Sequence, residues 1–175
     1  MATTFAQSRI QAAESEGRII LGRHGRCHMQ HFIGQKNSTG LIDLRSCTVI
    51  VLAARLGAIV AHIQPTTNLD HIMMQFALLY HQYENHYFTS TNDVYICLVK
   101  GVDIAGSEGT MQEKNISIMN LLNDMGFHDV PEFSFRNDHE PDPISQAAGK
   151  GTVFVDGWAD TPFVYVEDTR VNIMH

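Results

Sequence analysis

A cysteine and a histidine interrupt an otherwise apolar stretch, LIDLRSCTVIVLAARLGAIVAHIQP, at residues 41–65. A cysteine thiolate is a strong nucleophile, and an adjacent imidazole activates the thiol by accepting its proton or stabilising its charge. The pattern therefore indicates a cysteine hydrolase, in which Cys47 attacks a carbonyl or carboxamide carbon and His62 is the general base. The backbone N–H groups of Ser46 and Cys47 are the natural donors to the resulting oxyanion. The alternative is that both are core residues, since free cysteines are among the most buried residue types.

The spacing of Cys47 and His62 fits a pair on one face of a β-hairpin. In an antiparallel hairpin the residue numbers of opposed pairs add to a constant, and side chains alternate between faces. Because the numbers 47 and 62 add to an odd sum, any loop with an even number of residues places both side chains on one face. A loop of residues 54–55 opposes them directly, whereas a loop of residues 55–56 makes them diagonal neighbours. An odd loop or a bulge would separate them.

The periodicity of the chain predicts an α+β fold. The segments with strand character are residues 18–22, 47–53, 58–63, 93–101, 131–136, 151–157 and 163–168. Apolar residues at steps of three and four predict two amphipathic helices, over residues 68–87 and 111–126. Residues 34–40 and 137–150 have the composition of loops. The order of these elements favours a largely antiparallel sheet covered by two helices.

Length and composition are those of one globular domain. The chain has 175 residues, of which 44% are hydrophobic and 18% charged, so we expect a single domain over residues 17–175 after a tail or short helix at 1–16. The net charge of −7 weighs against a nucleic-acid surface. No apolar run approaches the ~20 residues that cross a membrane, and we find no secretory signal. Three cysteines are a sparse, odd set that favours free thiols in the cytoplasm.

The segment GRHGRCHMQH, residues 22–31, brings together residue types that bind metals. Structural zinc sites usually take four ligands from two separated pairs, and the sequence offers no second pair. We therefore favour a solvated basic loop, with His24 and His28 at the rim of the candidate site, and expect no metal or other cofactor. A metal-dependent protein is the alternative, and its ligands would come from His24, Cys27, His28 and His31.

The stretch around Cys47 and His62 also resembles a known family. LRSCTVIVLAARLGAIVAHIQP is similar to the LGSC motif, hairpin and following histidine of the bacterial chemoreceptor glutamine deamidases, the CheD family. It is more distantly similar to the LSGC motif of the cytotoxic necrotizing factor type deamidase toxins. QEKNISIMNLLNDMGF resembles the helix that starts with GxRN in that family, and GTVFVDGWADTPFVYVED resembles its closing hairpin. In order of elements the resemblance covers residues 17–168.

This resemblance implies a fold and a reaction. The fold would be a mostly antiparallel β-sandwich-like core flanked by two main helices. The reaction would be hydrolysis of a glutamine side chain on a protein substrate, with Cys47 as nucleophile and His62 as base. The family has a threonine six positions before the cysteine, where this chain has Leu41; Thr39 is the nearest replacement. Arg45 stands where the family has a small residue, and it would narrow or charge the mouth of the site.

Another class of function fits the same residues. In a catalytically silent protein-binding module of this fold, Leu41 and Arg45 would mark a decayed site. The target protein and the oligomeric state are not specified by the sequence.

Overall fold

A computed structural model of the protein describes residues 7–159 and 161–172. Residues 1–6 of the expected tail or short helix lie outside this part. The rest of that segment forms helix α1, Arg9–Ser15, which begins with a capping box between Ser8 and Gln11. Such a box satisfies two of the free N–H groups at the helix start, so the polar sequence before Arg9 sets where the helix begins.

The strands form two five-stranded sheets. Sheet A has the order β1-β3-β8-β9-β10 and sheet B the order β2-β5-β4-β6-β7. Each sheet is mixed, because β1 pairs with β3 and β6 with β7 in parallel while the other pairs are antiparallel. The strands are β1 Ile19–Leu21, β2 Cys27–His31, β3 Ser38–Leu41, β4 Thr48–Ala54, β5 Gly57–Ile63, β6 Tyr95–Val102, β7 Glu132–Arg136, β8 Val153–Asp156, β9 Phe163–Val166 and β10 Thr169–Arg170.

Two longer helices follow the sequence periodicity. Helix α2, Leu69–Tyr83, is capped by the side chain of Asn68, which accepts the backbone N–H of His71. Helix α3 spans Gln112–Asp124 and is followed by Gly126 at a φ of 95°, a conformation that favours glycine. A short fourth helix, α4 Pro143–Ala147, lies within the predicted loop 137–150.

Apolar side chains form three clusters that order these elements into layers. The first cluster lies between the sheets and contains valines of β4 and β5 in sheet B and of β8 and β9 in sheet A. The second joins the other face of sheet B to α2 and α3. The third joins the other face of sheet A to α1. Strands β4 and β5 are buried on both faces, which explains why their sequence is apolar at nearly every position.

The predicted α+β class is confirmed, but the single, largely antiparallel sheet expected from the order of the elements is instead two mixed sheets. Two segments predicted as loops are in part strands. Residues 34–40 are not all loop, because Ser38 begins β3, which pairs with both β1 and β8 in the interior of sheet A. Residues 22–31 are not a basic loop throughout, because Cys27–His31 form β2 against β5. Both strands are short and rich in polar residues. The sequence of β3 lacks the alternation that marks a strand, whereas residues 27–30 of β2 do alternate but stand among basic residues that favoured a loop.

Candidate active site

The hairpin of β4 and β5 brings Cys47 and His62 to the same face of sheet B. Its turn is formed by Arg55 and Leu56, and His62 pairs with Val49, two residues after Cys47. The two residues are therefore diagonal neighbours, as the even loop of residues 55–56 predicts. Both line one cleft of about 280 Å³ together with His24, Asp43, Arg45, Ser46, Gln64, Pro65 and Thr66.

Cys47 is held by its backbone at the floor of this cleft. The residue is 2% exposed. Its N–H donates to the carbonyl of Arg45, and its carbonyl accepts the N–H of Gly101, each at 2.9 Å. A Cβ added at Gly101 would lie 2.4 Å from the carbonyl oxygen of Arg45, so only glycine lets β6 approach this segment so closely. Burial raises the pKa of the Cys47 thiol to about 12, and the thiol is therefore neutral at physiological pH.

His62 is 1% exposed and has one hydrogen-bonded ring nitrogen. Its Nδ1 accepts the backbone N–H of Gly25 at 2.7 Å, so the neutral ring carries its proton on Nε2. That Nε2 is buried and has no hydrogen-bond partner among the residues that the structure describes. Burial, and secondarily the charge of His24, lower the pKa of His62 to about 4. The two imidazole rings lie 4.6 Å apart.

The two candidate catalytic groups are therefore both neutral at rest. No hydrogen bond joins Cys47 to His62 within the described ranges, and the only hydrogen bond of the His62 ring is to Gly25. A buried N–H without an acceptor costs about 1–3 kcal/mol, so the unpartnered Nε2–H is a donor that an added acceptor would satisfy.

Thr39, the candidate orienting residue, contacts a different histidine. Its hydroxyl donates to the carbonyl of Ile20 at 2.9 Å and therefore accepts a hydrogen bond from Nε2 of His28, also at 2.9 Å. His28 of β2 pairs with Val60 of β5, and its side chain faces the space between the sheets. The structure thus places Thr39 and His28 in a contact between the two sheets, and neither lines the cleft at His62.

The remaining predicted rim and oxyanion residues do lie at the cleft. His24 is exposed and donates from Nε2 to the carbonyl of Ile42 at 2.9 Å. Arg45 is exposed, and its guanidinium donates to the carbonyl of His139. Since the N–H of Cys47 is already bonded to the Arg45 carbonyl, the N–H of Ser46 is the better placed of the two predicted oxyanion donors.

The four residues of metal-binding type in residues 22–31, three histidines and one cysteine, do not converge. Successive side chains of β2 point to opposite faces, so Cys27 packs toward α2 and α3 while His28 faces sheet A. His31 bonds instead to the hydroxyl of Tyr87 at 2.7 Å. In residues 7–159 and 161–172, no three His, Cys, Asp or Glu side chains are grouped as metal ligands.

Three features of the cleft wall have no signal in the sequence. Gly25 positions His62 across 37 residues of chain. Asp43 lines the cleft with a backbone φ of 56°, a conformation that costs an ordinary residue energy. Lys114 of α3 donates to the carbonyls of Gln64, Pro65 and Thr67 at 3.2, 2.6 and 2.6 Å, and so fixes the loop after β5. Gly25 and Lys114 reach the hairpin and the loop after it only through the fold, because they are distant from both in sequence.

No protein-family model matches the sequence, and comparison with curated proteins finds no significant relative. Within the part of the chain that the structure describes, no helix has the length and apolar character needed to span a membrane.

Proposed function

We propose that the protein is a cysteine hydrolase of the glutamine deamidase type, acting on a carboxamide side chain of a protein substrate. The observation that carries this proposal is the shared cleft of Cys47 and His62, which lie as diagonal neighbours on one sheet face. A cleft of about 280 Å³ suits a side chain. The choice of glutamine deamidation within the cysteine hydrolases follows from the resemblance of LRSC and its hairpin to the CheD family.

The reaction would follow the usual course of a thiol hydrolase. His62 takes the proton of the Cys47 thiol as the sulfur attacks the carboxamide carbon, and Ser46 N–H donates to the oxyanion. Collapse of the tetrahedral intermediate breaks the C–N bond, and the proton passes from His62 to the leaving nitrogen, which departs as ammonia. Water then attacks the thioester, His62 accepts its proton, the C–S bond breaks and the proton returns to the Cys47 sulfur. The product is a carboxylic acid, which passes its remaining proton to ammonia at neutral pH and leaves as the carboxylate.

This course requires His62 to leave its resting arrangement. Its Nδ1 is occupied by the Gly25 N–H, and its Nε2 already carries a proton. The ring therefore accepts the thiol proton only after it exchanges the Gly25 hydrogen bond or turns about its Cβ–Cγ bond. A substrate carbonyl that accepts from Nε2–H would offset the loss of the hydrogen bond between Gly25 N–H and Nδ1. Substrate binding would therefore activate His62 as a base.

The second candidate is a catalytically silent protein-binding module. The observation that favours it is the neutral resting pair, in which burial raises the pKa of Cys47 to about 12 and lowers that of His62 to about 4. In this interpretation the Gly25 contact is permanent, and the cleft binds a side chain without changing it.

Deamidation of a defined peptide mixture tests the proposal. A tryptic digest of casein would be incubated with the wild type, Cys47→Ala and Cys27→Ala, and released ammonia and the conversion of Gln to Glu would be measured by mass spectrometry. The Cys27 control removes a thiol that packs toward the helices, outside the cleft. The proposal predicts conversion by the wild type and Cys27→Ala but not by Cys47→Ala. Conversion that survives in Cys47→Ala would contradict it.

A further inference from the structure

A second cleft, of about 690 Å³, opens where the edge strands of the two sheets approach each other. Strand β7 is the last strand of sheet B, and β10 is the last strand of sheet A. The cleft is lined by residues of β6 and β7 on one side, among them Lys100, Glu132 and Phe133, and by residues at and around β9 and β10 on the other, among them Val166, Glu167 and Val171.

The hydrogen bonds of β7 show which of its backbone groups face this cleft. The carbonyl of Pro131 accepts the N–H of Leu98, and the N–H of Asn137 donates to the carbonyl of Val102, each at 2.9 Å. Leu98 and Val102 both belong to β6. In a parallel pair alternate residues bond to the same neighbour, so the odd-numbered residues of β7 bond to β6. The N–H and C=O groups of Glu132 and Ser134 therefore point outward.

Another part of the chain occupies one end of this edge. Arg136 N–H, which also points outward, donates to the carboxylate of Glu167 at 3.2 Å. Outside the ladder between β6 and β7, no backbone–backbone hydrogen bond between described residues uses the N–H or C=O of Glu132 or Ser134. An open row of such groups is a template for pairing with another extended chain.

The two walls of the cleft differ in chemistry. On the side that faces the helices, Lys100 lies between Glu108 at 3.3 Å and Glu132 at 3.2 Å. Two carboxylates against one ammonium leave a net negative charge, which favours a basic side chain. On the side that faces sheet A, Phe133 and the valines at 166 and 171 present apolar surface. The second ion pair of the cleft, between Lys150 and Glu167, is balanced.

We propose that the cleft between β7 and β10 binds an extended segment of a partner protein, which adds to β7 as a further strand. Side chains alternate along a strand, so the segment would present basic residues to Glu108 and Glu132 and apolar residues to Phe133. Main-chain hydrogen bonds to Glu132 and Ser134 hold it in place. This site does not include Cys47, so a negative result for the hydrolase proposal would not affect it.

A peptide selection with matched variants tests this binding site. Random peptides of about ten residues, displayed on phage, would be selected on the wild-type protein, and the enriched peptides would be synthesised and titrated by fluorescence anisotropy. Ser134→Pro removes one outward N–H without disturbing the ladder to β6, whereas Ser134→Ala keeps that N–H and removes only the hydroxyl. Circular dichroism would establish that both variants are folded.

The site predicts enriched peptides that alternate basic and apolar residues, with at least about tenfold weaker binding to Ser134→Pro and unchanged binding to Ser134→Ala. Glu132→Lys is the second test, and its reversed charge should weaken binding of the same peptides by a similar factor. If Ser134→Pro does not fold, Glu132→Lys tests the site without it. Failure to enrich any peptide, or equal binding to the wild type, Ser134→Pro and Glu132→Lys, would overturn the proposal.

Discussion

Burial of His62 as a neutral ring makes the stability of the protein depend on pH in a defined window. The pKa of His62 is lowered to about 4 in the folded protein, against an ordinary value of 6.5. The unfolded chain therefore binds a proton more readily than the folded one, and stability is lost as the pH falls below 6.5. Above that pH both states are neutral at this residue, and it has no effect on the slope.

The size of the effect follows from the same two values. At pH 5 the proton taken up by the unfolded chain lowers the free energy of unfolding by about 2 kcal/mol, and below pH 4 the loss reaches about 3 kcal/mol. His62→Gln removes the titrating group. We therefore expect its free energy of unfolding to fall less steeply than that of the wild type between pH 6.5 and pH 4.

Urea denaturation at several pH values in this range, followed by circular dichroism, measures the difference. His86→Gln is the matched control, because the His86 side chain is exposed and makes no hydrogen bond or ion pair with the other described residues. Its curve should run parallel to that of the wild type. If His62→Gln also ran parallel, His62 would not be a buried neutral ring and the description of the site would be wrong.

Three further substitutions probe the surroundings of the cleft. Lys114→Met should lower the free energy of unfolding by about 1–3 kcal/mol and raise amide hydrogen exchange in the loop after β5, because three carbonyls lose a charged donor. Lys36→Met is the control: its amine donates to the carbonyl of Gly17 alone, so hydrogen exchange in the loop after β5 should not change. Gly101→Ala should cost about 1–3 kcal/mol, measured by urea denaturation, through its clash with the segment before Cys47; a neutral effect would argue against that close packing. Thr39→Val should destabilise the protein by about 1–2 kcal/mol and leave the NMR titration of His62 unchanged, and a shifted titration would restore Thr39 as an orienting group.

The hairpin that carries the candidate site was predictable because its signal is local. Side-chain alternation predicts that Cys47 and His62 share one face if the loop has an even number of residues, and the two-residue turn at Arg55 and Leu56 meets that condition. Helices α2 and α3 were predictable for a similar reason, since each buries one stripe of a regular apolar pattern. Local patterns therefore account for most of the fold around the site.

The partners of these residues were not predictable, because they come from distant parts of the chain. The polar strands β2 and β3 gain their place from pairing with neighbours, and β3 is buried although it contains Ser38 and Thr39. Its position joins Thr39 to His28 rather than to the cleft, a consequence of how the two sheets face each other. Gly25 likewise reaches His62 only through the fold, and this contact sets the resting tautomer of the ring.

Alkylation of Cys47 by iodoacetamide at neutral pH, followed site by site with mass spectrometry, tests the central claim most directly. Burial raises the pKa of Cys47 and Cys97 alike to about 12, so Cys97 is an internal control in the same molecule. A working pair predicts that Cys47 reacts faster than Cys97 and that His62→Gln abolishes this advantage. The carbonyl of the reagent would accept from Nε2–H of His62, as the substrate carbonyl does in the proposed reaction, and His62 would take the thiol proton as the sulfur displaces iodide from the CH2 carbon. If Cys47 is as inert as Cys97, or if its reactivity is the same without His62, Cys47 and His62 are not a catalytic pair.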